Sequence, residues 1–173
     1  MDITLLLEDK SIKLSEKREQ IANAVSTKAI TVKEIKTCCF DEKKIGVILE
    51  AIESASRSNP SIADIEWLNY VELYILSSSN SLKREASRII GNIAHLFPDN
   101  LDSSISKLIE NTKNDGTVVR WGSAYALGRI ILIPQFANSD LFDTLTDLAE
   151  QETESGVKNQ YLGGLKKAEK LRK

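Results

Sequence analysis

The chain's three prolines, Pro60, Pro98 and Pro134, stand 38 and 36 residues apart. Proline lacks a backbone N–H and restricts the residue before it, so each one ends a helix and lets another begin. Apolar residues recur with helical period on both sides of all three, so they mark equivalent turns. The glycines give the same frame. Leu82, Lys83, Ala86, Ser87, Ile90, Gly91 and Ile93 superpose on Val119, Arg120, Ser123, Ala124, Leu127, Gly128 and Ile130 at an offset of 37. Weaker copies run from Val157 through Leu162, Leu165 and Ala168, and through Ile45, Ile48, Leu49, Ile52 and Ala55. A period of this length, carrying two helices, belongs to chains whose units bury their apolar faces only against neighbouring units.

The run Asp115-Gly-Thr-Val-Val-Arg120-Trp-Gly-Ser-Ala-Tyr-Ala-Leu-Gly128 resembles the first helix of the HEAT-repeat family, within the armadillo-like folds. The resemblance covers about residues 42 to 170 and implies an all-α, right-handed α-α superhelix. It would hold about four hairpins, near 10–40, 42–79, 81–114 and 117–153, and a C-terminal helix at 156–171. Residues 1–173 would form one domain. The resemblance also implies a ladder of Asp and Arg side chains between repeats, to which Asp115 and Arg120 correspond. The sister copies carry Asn80 with Lys83 and Ser155 with Lys158, so only the basic half persists. Ser81, Asp99 or Asn100, and Ser139 or Asp140 stand where N-caps are expected.

Counting from each proline sets the second helix of each hairpin. Ala63, Trp67, Tyr70 and Val71, then Leu101, Ile105, Leu108 and Ile109, then Ala137, Leu141 and Leu145 form the expected core stripe. Trp67, Tyr70 and Tyr74 could instead be a stacking platform, but the row aligns with aliphatic core in the sister copies, which favours packing. The opposite stripe supplies candidate partner-binding residues: Asn69, Glu72, Lys107, Glu110, Asp143, Asp147 and Glu150. Asp140, Asp143, Asp147, Glu150 and Glu154 recur every three or four residues, which places their carboxylates on one helix face. Second helices lean acidic and first helices lean basic. In the resembled family the second helices line the concave surface, which would make that surface acidic.

With 23 basic and 25 acidic residues, no global field draws the chain toward nucleic acid or an anionic membrane. No membrane-spanning run is present, and the apolar start from Ile3 to Leu7 lacks the basic lead of a signal peptide, so a cytoplasmic location is expected. Cys38 and Cys39 are adjacent and read as reduced thiols; His95, the single histidine, reads as a helix-end residue. No cofactor or metal site and no catalytic constellation is expected, because the chain has no Gly-rich phosphate loop and no histidine pair. The expected function is a non-catalytic scaffold that holds a basic peptide or protein on the acidic layer. The alternative is a nucleic-acid-binding protein resembling the alkylpurine DNA glycosylases, whose grooves need clustered cations where this chain has acids.

Overall fold

A computed structural model of the chain describes residues 1–38 and 40–173. The described residues form helices and turns without a strand: α1 (Ile3–Glu8), α2 (Leu14–Ser26), α3 (Val32–Thr37), α4 (Glu42–Ser58), α5 (Ile65–Glu72), α6 (Asn80–Ile93), α7 (Asp102–Asn111), α8 (Thr117–Ile130), α9 (Pro134–Ala137), α10 (Leu141–Gln151) and α11 (Ser155–Ala168). Each proline opens a short helical segment just after a long helix: Pro60 and Pro98 begin 3₁₀ turns and Pro134 begins α9. At that position the missing N–H would have had no helical partner in any case. The three turns are therefore equivalent in structure as well as in spacing.

Helices α2, α4, α6, α8 and α11 pack each against the next and make a first layer, while α5, α7 and α10 lean on α6, α8 and α11 respectively. In α6 the buried positions Leu82, Ala86, Ile89, Ile90 and Ile93 fall on one stripe, and Leu141, Leu145 and Ala149 do the same in α10. The aromatic row lies in this core: Trp67 and Tyr70 are buried and Tyr74 is half-buried, with rings meeting edge to face. Burial also raises the Tyr70 phenol above its ordinary range. Trp67 and Tyr70 are thus packed into the core, and Tyr74 alone of the three keeps part of its surface exposed.

Two features tie unit to unit. Gly164 lets α11 approach α8 so closely that an added Cβ would lie 2.5 Å from the Gly128 carbonyl oxygen, and one on Gly91 would lie 2.9 Å from the Ala126 Cα. The second is the reach of the polar contacts. Among the described residues, every side-chain hydrogen bond joining positions more than ten apart spans 31 to 39 residues, which is one repeat period. Polar wiring thus runs only between neighbouring units.

Helix ends differ from expectation. A 3₁₀ turn at Pro60–Ile62 precedes α5, and Asp64 caps α5 by accepting from the N–H groups of Glu66 and Trp67, so the helix starts at Ile65, five residues after the proline. Its end is early, because the chain turns from Leu73 to Leu76. The N-cap of α6 is Ser79, not Ser81, and α7 follows Leu101 directly out of the Pro98–Asn100 turn without a side-chain cap. The segment at Ile3–Glu8 is helical although no helix is expected there; Asp2 caps it, and the buried Lys17 ammonium donates to its last-turn carbonyl at Leu7 (2.8 Å). Cys38 is free and half-buried; Cys39, its expected companion, lies outside the described residues.

Candidate partner-binding surface

The second-layer helices carry the charged residues singled out in the sequence, and the structure divides them into two groups. Between α5 and α7, Glu72 accepts hydrogen bonds from Lys107 Nζ (2.6 Å), Ser104 Oγ (3.1 Å) and Ser103 Oγ. Burial alone would raise the Glu72 carboxyl, but the bonds from Lys107 and the two serines, with the lysine's charge, hold it below the ordinary glutamate range. Glu72 and Lys107 are therefore engaged with each other across the interhelix seam, and they leave the set of free side chains. Asn111 on α7 completes the seam by donating to the Ile75 carbonyl (2.6 Å).

On α10 the arrangement is opposite. Leu141, Leu145 and Ala149 are buried, and Asp143, Asp147 and Glu150 are exposed on the other side. A carboxylate in the first turn, such as Asp143, gains from the positive end of the helix dipole. Asp147 and Glu150 lie toward the negative end, and their spacing from Asp143 places like charges side by side, so helix physics disfavours them. The helix contains no base, and among the described residues the single cation within 4.0 Å of these acids is Arg172, 3.8 Å from Asp143, whose guanidinium also covers the Phe142 ring. Asn69 on α5 and Glu110 on α7 are exposed as well. Leu73, four residues after Asn69, is exposed at 64%, an apolar position that polar patterning did not single out.

Arg120 shows where the expected ladder leads. Its guanidinium donates to both carboxylate oxygens of Glu152 (3.0 and 3.4 Å) and to the carbonyls of Asn114 (3.0 Å) and Asp115 (3.1 Å). The Asp115 contact is thus made by its backbone, and the acid facing Arg120 is Glu152, 32 residues after it. Both side chains are largely buried. The bond to Glu152 raises the Arg120 guanidinium further; burial pushes Glu152 up, but Arg120 outweighs it and keeps the carboxyl below its ordinary range. The repeat offset does not find Glu152: the 38-residue step that carries Arg120 to Lys158 carries Asp115 to Thr153, so the pair depends on how the loop before α11 folds back.

No family model matches the chain, and no curated protein matches it either. Among solved structures it is similar to the crystal structure of an engineered protein, a target of the Northeast Structural Genomics Consortium. The TM-score is 0.58 at 13% identity, with 98% of this chain and 97% of the other covered. At that identity the likeness concerns the all-helical fold alone.

Proposed function

We propose that the chain is a non-catalytic binding scaffold of HEAT-like hairpins stacked in a right-handed superhelix, which holds a basic peptide or protein on its second-layer helices. The observation that carries this reading is the outer face of α10. Asp147 and Glu150 sit at the unfavourable end of a helix, beside like charges and without a cation, whereas the comparable Glu72 on α5 is consumed by an internal pair. Acids held against local electrostatics in this way are suited to a partner that brings the missing charge. Complementary charge speeds encounter and excludes wrong partners more than it adds raw affinity. The exposed Glu110 and Asn69 extend the surface toward α5, where Leu73 offers an apolar contact. The one-period reach of the polar contacts supports the stacked-hairpin reading, because solenoid units interact only with their neighbours.

A fluorescently labelled Lys/Arg-rich peptide tests the proposal by anisotropy. The chain should bind it with an affinity that falls as salt rises, and a triple Asp143→Lys, Asp147→Lys, Glu150→Lys variant should bind at least about tenfold more weakly. Equal binding by the variant, or retention of duplex DNA in preference to the peptide at low salt, would sink the reading.

A further inference from the structure

We propose that a cleft in the first layer, between α4, α6 and α8, is a binding site for a phosphomonoester group. It does not depend on the α10 surface. The cleft encloses about 310 Å³ and is lined by Ser56, Arg57, Asn92, His95 and Arg129, with Leu132 among its apolar walls. No carboxylate lines it. The cleft is open to solvent on one side and has room for a phosphoryl group and a small organic substituent.

Its floor is fixed. Asn92 is buried, accepts the Tyr125 hydroxyl at Oδ1 (2.7 Å), and donates from Nδ2 to Ser56 Oγ (3.1 Å) and the Glu53 carbonyl (3.4 Å). Tyr125 also sets the main cation. The Arg129 guanidinium lies over its ring, 4.1 Å from the centroid. A contact of this kind uses the guanidinium's charge and not its hydrogen bonds, so the N–H groups that grip a phosphate in a fork stay available.

The other arginines show how unusual this is. Arg18, Arg84, Arg88 and Arg120 each have a carboxylate within 3.1 Å, and Arg172 reaches Asp143 at 3.8 Å. Among the described residues Arg129 alone has none within 4.0 Å, and Arg57, across the same cleft, holds Glu53 only loosely at 3.7 Å. Two guanidiniums with unused donors converge on one hollow, beside an imidazole that adds a donor of its own. The C-termini of α4, α6 and α8 all line the cleft and each contributes about half a negative charge, a sum of about −1.5 that the two arginines exceed. The remaining positive charge and the unused guanidinium donors favour a terminal phosphate, which enters end-on. A phosphodiester strand, with one charge per phosphate, would have to continue past Arg129 into the adjoining 130 Å³ cleft, where Lys167 is the further cation.

The test is a titration of ¹⁵N-labelled full chain with phenyl phosphate, inorganic phosphate and a single-stranded oligonucleotide. Saturable shifts at the Gly91 amide, the Asn92 side-chain amide and the Arg129 Nε–H with phenyl phosphate are expected. Tighter binding of phenyl phosphate than of inorganic phosphate assigns an organic phosphate, and equal binding assigns free phosphate. Arg129→Gln should weaken either at least about tenfold, and Arg129→Lys less, since the charge stays and the fork goes. Both arginines are exposed, so an unchanged circular dichroism melt verifies the fold of the variants. No saturable shift with either phosphate, or wild-type affinity in an Arg57→Gln, Arg129→Gln double variant, overturns the proposal. Oligonucleotide binding that exceeds phenyl phosphate and is lost in Lys167→Gln also overturns it, in favour of a strand.

Discussion

Helices α10 and α11 follow one another in the chain and treat their neighbours in opposite ways. The inner side of α11 is stripped to Gly164, which brings its backbone against that of α8, whereas the outer side of α10 bears acids that touch almost nothing. Between them lies Glu152, closed on Arg120. Within some 30 residues the chain passes from a face where any added atom is a fault to one where side chains are free to change. The contrast separates residues that hold the fold from residues available to a partner.

That separation breaks most readily at Gly164. Replacing it with Ala drives a methyl into the Gly128 carbonyl and should cost about 3 kcal/mol in urea unfolding, beyond the helix propensity that Ala gains. If Gly164→Ala melts like the parent, the tight approach is not what holds α11. Next comes Glu152→Gln, which leaves the Arg120 guanidinium largely buried without an anion and should cost about 2 kcal/mol at pH 7. This contribution depends on pH with a definite sign. The Glu152 carboxyl is depressed when folded, so its stabilisation is full above the ordinary value of 4.5 and disappears as pH falls through the folded value. The parent should therefore lose stability on acidification below about 4.5 more steeply than Glu152→Gln, as thermal melts across pH 3 to 7 would show.

A double-mutant cycle on Glu72→Gln and Lys107→Met extends the comparison to α5 and α7. A coupling of about 1 kcal/mol is expected for this half-buried pair. A coupling near zero would return Glu72 and Lys107 to the freely available residues. The smallest effect belongs to Gly163, beside Gly164 but facing open space and without a positive φ. Gly163→Ala should stabilise by about 0.7 kcal/mol, so two adjacent glycines should respond to the same substitution with opposite signs.

Much of the helical plan could be read in the sequence, because prolines at near-equal spacing and glycines at an offset of 37 are local marks of local backbone geometry. The core stripe was equally accessible: Trp67, Tyr70, Leu101, Leu108 and Leu145 are all buried, as their shared place after the prolines predicts. Helix ends were less legible: the 3₁₀ turn at Pro60 delays α5 to Ile65, and the chain leaves the helix again at Leu73, well before the end of the expected hairpin. Side-chain pairing was least so. Whether Glu72 is free depends on Lys107 and two serines in the next unit, and whether Arg129 is unpaired depends on what every neighbouring helix omits. Such facts lie in convergence, which one helix's periodicity does not encode.

The one-period reach of the polar contacts has a consequence for how the molecule comes together. No bond of this kind has to wait for distant parts of the chain to meet, so the entropy cost of loop closure stays small at every step. If the hairpins stack as proposed, folding starts wherever two adjacent ones first dock and spreads outward in both directions like a zip fastener.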